Sequence, residues 1–88
     1  MTTYRVAIKR SAQKALDALD RPLRARIAAA IEALGQDPRP PGSTKLRGED
    51  IAWRIRVGDY RIVYDIQEDR LIVFVVRIGH RREIYRGL

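Results

Sequence analysis

Arg54, Arg56 and Arg61 are spaced so that a two-residue turn at Gly58-Asp59 would put all three guanidinium groups on one face of a β-hairpin. With that turn Val57 faces Tyr60, Arg56 faces Arg61, Ile55 faces Ile62, Arg54 faces Val63 and Trp53 faces Tyr64. The wholly apolar pairs share one side. The other side sets Arg56 directly across from Arg61, an arrangement of like charges that disfavours a sheet by roughly 0.2–1 kcal/mol per pair. A face kept only for solubility would intersperse the two signs. The cluster therefore points to an anionic ligand, and the planar fork of arginine suits phosphate.

His80, Arg81 and Tyr85 follow the last apolar run and supply the groups that RNA cleavage without a protein nucleophile requires. Such cleavage needs a base for the 2′-hydroxyl proton, cations for the charge on the phosphorane, and an acid for the leaving 5′-oxygen. Tyr85 becomes a base if neighbouring arginines favour its phenolate. His80 titrates nearer neutrality, with an ordinary pKa of about 6.5, but a lone histidine beside glycine is more often structural. The residues leave the choice between the two open. Asp59, Asp65, Glu68 and Asp69 match no metal-ligand spacing, and the chain has no Gly-rich phosphate loop, activated serine or paired-histidine motif. No metal and no cofactor are expected. Trp53, Tyr60 and Tyr64 fall on the apolar side of the hairpin and read as core rather than as platforms for bases.

Composition sets the frame around these groups. The 88 residues are enough for one domain, spanning 1–88, and 45% hydrophobic with 33% charged residues is the balance of a globular chain. No segment is apolar enough to cross a membrane. Cysteine is absent, which excludes disulfides and thiolate metal sites, and Met1-Thr2-Thr3-Tyr4-Arg5 lacks the apolar core of a signal peptide, so a cytoplasmic location is expected. The net charge of +7, carried mostly by arginine, implies a polyanionic partner.

The elements that must hold the cluster can be read along the chain. Tyr4-Arg5-Val6-Ala7-Ile8 alternates as a short strand. Ser11 is placed to cap a first helix with Ala12, Ala15, Leu16 and Leu19 at helical spacing; Asp20 is placed to cap a second, beginning Arg21-Pro22, with Leu23, Ile27, Ala30, Ile31 and Leu34 as its stripe. Gly35 marks its end, and Asp37-Pro38-Arg39-Pro40-Pro41-Gly42 reads as a stiff extended connector. The hairpin comes next, then a turn at Gln67-Glu68-Asp69-Arg70. Leu71 to Ile78 is an apolar run fit for an interior strand, of undetermined register, and a polar tail begins at Gly79. The order gives an α+β domain: strand, helix, helix, then a three-stranded antiparallel meander, with the helical hairpin packed on one sheet face and the other face left for ligands. Short connections would return the second strand antiparallel to the first.

Lys45-Leu46-Arg47-Gly48, the run from Trp53 to Tyr64 and Ile78-Gly79-His80-Arg81-Arg82-Glu83-Ile84-Tyr85 together resemble the RelE branch of the RelE/ParE toxin superfamily, over nearly the whole chain. The resemblance implies a small RelE-like fold and a toxin of a type II toxin–antitoxin module, an endoribonuclease (mRNA interferase) that cuts mRNA in the ribosomal A site without a metal. It implies a cognate antitoxin as partner, in a toxin–antitoxin hetero-oligomer. Carried over by position, Arg54 and Arg56 are the basic pair, Arg61 a phosphate contact, Arg81 the acid and Tyr85 the base. Arg47 and Lys45, with His80, would add RNA contacts. Arg54 and Arg56 stand where lysine can occur in RelE-like enzymes; arginine keeps the charge but gives up proton shuttling near neutral pH. The same fold serves ParE-like toxins that poison DNA gyrase, and a non-catalytic nucleic-acid-binding module is the third reading. Retention of Arg61, Arg81 and Tyr85 favours the RNase.

Overall fold

Alternating apolar and polar side chains build a sheet with one greasy face, and two short helices cover that face. The computed structural model describes residues 2–46 and 52–83. The elements are β1 (Arg5–Ile8), α1 (Arg10–Asp17), α2 (Arg21–Ala33), β2 (Thr44–Leu46), β3 (Ala52–Val57), β4 (Tyr60–Gln67) and β5 (Ile72–His80). The five strands form one sheet in the order β1-β5-β4-β3-β2, in which β1 runs parallel to β5 and every other neighbouring pair is antiparallel. The expected meander is present as β3, β4 and β5, extended by β2 at the edge. Ile55, Ile62, Tyr64, Val73, Val75 and Ile78 from the sheet meet Ala12, Leu16, Ile27, Ile31 and Leu34 from the helical segment in a single core.

The hairpin register is the one read from the sequence: Trp53 pairs with Tyr64, Arg54 with Val63, Ile55 with Ile62, Arg56 with Arg61 and Val57 with Tyr60. Gly58 takes a positive φ of 59° while Asp59 does not, the pattern of a turn that needs glycine only at its first central position.

Four local expectations are corrected. The first helix starts two residues early, with Lys9 rather than Ser11 at its N-cap. The reason is that the Lys9 N–H still donates to the Val75 carbonyl at 2.8 Å while its own carbonyl accepts from Gln13 at 2.9 Å, so strand passes straight into helix. Asp20 does occupy the N-cap of α2, but its backbone carbonyl, not its carboxylate, makes the bond, accepting from Arg24 at 2.9 Å. The first hairpin arm, β3, runs in the same direction as β1 and not against it, because the unforeseen β2 makes the antiparallel return in its place. Finally, β5 continues through Gly79 and His80, which pair with Arg61 and Tyr60, so the polar tail begins later.

Gly35 follows α2 as expected, for a further reason than helix termination. The Tyr4 N–H donates to the Gly35 carbonyl at 2.7 Å, and a Cβ on residue 35 would stand 2.9 Å from the Tyr4 carbonyl oxygen. Only glycine lets the end of α2 approach the start of β1 this closely.

The proline-rich connector is tied down along its length. The Tyr64 hydroxyl, on a fully buried ring, donates to the Pro38 carbonyl at 2.7 Å. Arg39 lies 5.2 Å from the centre of the Trp53 ring and pairs with Glu68, whose other carboxylate oxygen accepts from the Tyr4 hydroxyl at 2.7 Å. Arg39, followed by Tyr4, holds the Glu68 carboxyl below its ordinary pKa. Burial pushes the Tyr64 phenol up to about 12. A phenol with a raised folded pKa stabilises the fold fully below the unfolded value near 10 and loses that contribution as pH rises through the folded value. The midpoint of denaturant unfolding should therefore fall between about pH 10 and pH 12. Tyr64→Phe should flatten this alkaline fall while costing about 1–3 kcal/mol at neutral pH, since the Pro38 carbonyl loses its donor. An unchanged alkaline profile in the variant would remove Tyr64 as its cause.

Candidate nucleic-acid interface

Side chains in register across an antiparallel sheet share a face, so the strand pairing alone sorts the candidate residues. On the face turned away from the helices, Arg56, Arg61 and Gly79 form one row across β3, β4 and β5, and Arg54, Val63 and Arg77 form the next row of that face. Three arginines read from the sequence are thus brought together, and a fourth, Arg77, joins them.

Arg77 was missed because it should point the other way. Along β5 the residues turned into the core are Val73 and Val75, and simple alternation would put Arg77 among them. The pairing instead slips between Val63 and Tyr64: Tyr64 pairs with Val75 but Val63 pairs with Arg77, leaving Val76 as an extra residue on β5. This bulge returns Ile78 to the core and turns Arg77 onto the arginine face. A charge within an apolar run was the available signal, since an unpaired guanidinium is expensive to bury beside Val73 and Val75.

Arg61 is held most firmly. It is only 8% exposed, and its guanidinium donates to the carbonyls of Gly58 and Tyr60 at 3.4 and 3.3 Å, so the turn that sets the register also braces the side chain. Opposite it on β5 is Gly79, which leaves no side chain beside the guanidinium. Arg56 is exposed. Among the described residues the ion pairs are Arg39–Glu68 and Arg81–Asp59, so no described carboxylate neutralises Arg56 or Arg61. Arg54 donates to the Thr44 hydroxyl at 3.2 Å, which ties it to β2. Val63 is 1% exposed between Arg54 and Arg77, although it faces away from the helices. Apolar stems of the two flanking arginines suit that position.

The remaining candidates divide. Arg81 sits beside the hairpin turn, its N–H donating to the Asp59 carbonyl at 2.8 Å and its Nε 4.0 Å from the Asp59 carboxylate, one turn away from Arg56 and Arg61. His80 pairs with Tyr60 and is on the helix-side face, its ring edge-on to the Tyr60 ring at 5.7 Å, and its Nδ1 accepts from the Arg82 N–H at 3.2 Å. Lys45 pairs with Trp53 and shares that face rather than the arginine face. Arg47 and Tyr85 lie outside the described residues. Among the described residues no group of three His, Cys, Asp or Glu is arranged to hold a metal ion, and no helix is long and apolar enough to cross a membrane.

Residues 6–85 match the family described as the ParE toxin of the type II toxin–antitoxin system parDE. The chain belongs to this family. It is 31% identical over 80 residues to a RelE-like toxin protein of Escherichia coli, covering 89% of this chain and 83% of that protein. Among solved structures it is similar to the archaeal RelE–RelB complex from Pyrococcus horikoshii OT3, with 28% identity, a TM-score of 0.81 and coverage of 94% of this chain and 99% of that one. The RelBE2 toxin–antitoxin complex of Mycobacterium tuberculosis gives 27% identity and a TM-score of 0.77 over 90% and 99% of the two chains. The protein is a type II toxin–antitoxin toxin of the RelE/ParE family with the α+β fold of RelE structures.

Arg61 gives the sharpest test of the arginine face. Its side chain lies outside the helix-side core, so Arg61→Ala should still unfold cooperatively, at a temperature lowered by the loss of its two bonds to the turn, yet lose growth arrest on induced expression. Removing one preorganised charge-stabilising donor commonly costs on the order of 10²–10³ in rate. Arg61→Lys, which keeps charge without the fork, should fall between the two. Full growth arrest by a well-expressed Arg61→Ala toxin would show that this face does not carry the toxicity.

Proposed function

We propose that this toxin is a ribosome-dependent endoribonuclease that cuts mRNA in the A site, without a metal, by attack of a 2′-hydroxyl on the adjacent phosphate. The observation that carries the reading is the convergence of Arg54, Arg56 and Arg61 on the sheet face opposite the helices, with no described carboxylate paired to Arg56 or Arg61. The RelE relatives support it by likeness.

In this mechanism the 2′-oxygen bonds to phosphorus as a base removes its proton, and the bond to the 5′-oxygen breaks as that oxygen takes up a proton. The products are a 2′,3′-cyclic phosphate and a free 5′-hydroxyl. Arg61, preset by the turn carbonyls, with Arg54 and Arg56, stabilises the added charge on the phosphorane. Arg81 serves the leaving oxygen. Because a guanidinium stays protonated, hydrogen bonding to that oxygen is its more natural contribution than proton release. Tyr85 is the base by resemblance, and His80, engaged with Tyr60 and the Arg82 N–H on the other face, is the weaker candidate. The toxin works in the cytoplasm. A cognate antitoxin with an acidic segment neutralises it in a hetero-oligomer, since complementary charge against a chain of net charge +7 speeds capture; the Pyrococcus and Mycobacterium relatives were solved as toxin–antitoxin complexes.

The match to the ParE family favours a second reading, inhibition of DNA gyrase. Primer extension on mRNA after induction separates the two: discrete cuts within reading frames support the RNase, whereas intact message with DNA damage supports gyrase poisoning. Single-turnover cleavage then assigns the base. Tyr85→Phe should cut far more slowly, and His80→Gln should keep most of its rate, with a rate still rising through neutral pH as phenolate forms. A rate that stops rising with pH in the parent, together with normal cutting by Tyr85→Phe, would move the base to His80.

A further inference from the structure

The bulge that turns Arg77 outward also opens the edge of the sheet. Parallel pairing of β1 with β5 ends at Ile8 and Val75, with the Lys9 N–H making the last bond to Val75, after which the chain turns away into α1. The strand β5 continues to His80. Between its continuing edge and the start of α1 lies a cleft of about 310 Å³ lined by Lys9, Ser11, Ala12, Val76, Arg77 and Ile78. Two of these are cations, one is a hydroxyl and none is acidic. Arg77 belongs both to this cleft and to the arginine face, where it shares a row with Arg54 across Val63. The basic residues thus extend from Arg54 on β3, across Val63, to Arg77 on β5 and on to the beginning of α1. Lys9 is exposed and has no described carboxylate partner, so its ammonium is available to an anion entering the cleft.

We propose that this cleft is a second phosphate subsite, in which Lys9, Ser11 and Arg77 hold a backbone phosphate of the same single-stranded RNA that is cleaved on the arginine face. The proposal rests on the RNase reading for its substrate and extends it to residues outside the cleavage centre. Arg77 is the link: it guides the strand from the cleavage centre into the cleft. Ser11, left without a capping role because Lys9 occupies the N-cap, offers its hydroxyl as a donor to a phosphate oxygen. Contacts of this kind position a strand and carry no base preference. They should therefore act on binding and leave the chemical step alone.

The test compares the full chain with Lys9→Ala, Arg77→Gln, Arg77→Lys and, as a control of equal charge loss, Arg21→Ala at the exposed start of α2. Anisotropy of a fluorescein-labelled single-stranded RNA dodecamer is followed against KCl concentration, and single-turnover cleavage is measured on mRNA-programmed ribosomes. Loss of one phosphate contact should make the salt dependence of binding shallower by about 0.7 in Lys9→Ala and in Arg77→Gln, with Arg77→Lys and Arg21→Ala close to the parent. In cleavage Lys9→Ala and Arg77→Gln should each need roughly three- to tenfold more enzyme for half-maximal rate, and Lys9→Ala, which lies off the arginine face, should reach the parental maximum within about twofold. Parental binding and cleavage in both variants, while Arg61→Ala is inactive, would overturn the subsite and leave the RNase reading standing. A parent that binds RNA through Lys9 and Arg77 but cuts no message would do the reverse. A parent that does not bind the dodecamer would overturn the subsite. If Arg77→Gln fails to fold, Lys9→Ala, altered only at an exposed side chain, decides alone.

Discussion

Register across β3, β4 and β5 is the constraint on which everything else in this protein depends. A one-residue slip in a strand moves every side chain to the opposite face. Here that would drive Arg54, Arg56 and Arg61 under the helices and put Ile55, Ile62 and Tyr64 in water. The chain sets register at two points of unlike kind. At Gly58-Asp59 the turn is local, demanding only a glycine at positive φ. At Val76 the device is non-local: an extra residue on β5 shifts the alternation so that Ile78 fills the core and Arg77 faces out. The turn makes an arginine pair, and the bulge widens it into a surface.

That surface lies on the sheet face opposite the helices because both helices close the core from one side. Both helices pack on the same face, and the chain between α2 and β2 is bound against the rim of the sheet by Tyr64, Trp53 and the Tyr4–Glu68–Arg39 cluster. Tyr64 belongs to both systems. Its ring is in the core opposite Trp53, and its hydroxyl reaches out to the connector at Pro38. The exposed members of the cluster are worth little as charges in water. Their value lies in ordering a segment whose prolines have already reduced the conformational freedom of the unfolded chain.

Much of this was legible beforehand, and what was not shares a cause. The hairpin pairing, both helical stripes, the core role of Tyr64 and the gathering of Arg54, Arg56 and Arg61 all follow from interactions between residues near in sequence. Thr44-Lys45-Leu46 was not recognised as a strand because three residues carry no usable alternation, and only pairing with β3 makes them one. Gly79 and His80 read as tail for the same reason, since Arg61 and Tyr60 opposite them extend the strand. The bulge is the extreme case: nothing in Leu71 to Ile78 marks where the extra residue sits, and only the arginine inside the run warned that alternation must break. His80 shows the consequence for chemistry. Its residue type invited a role beside the arginines, and its register put it with Tyr60 on the opposite face.

Arginine throughout the basic face narrows what that face can contribute. Lysine at positions 54 and 56 would offer groups whose pKa can be driven toward neutrality by burial or by neighbouring cations; arginine resists both. Crowding three guanidinium groups therefore leaves all three charged, and the sheet bears their repulsion until an anion relieves it. For Arg61 the strain is met in advance, because the carbonyls of Gly58 and Tyr60 fix the side chain before any ligand arrives. A preset cation loses little freedom on binding and does not reorganise as charge develops, which is the condition under which a fixed donor stabilises a transition state more than a ground state. Under the proposed RNase mechanism, proton transfer then falls to a group other than these arginines, the role that the family resemblance gives to Tyr85.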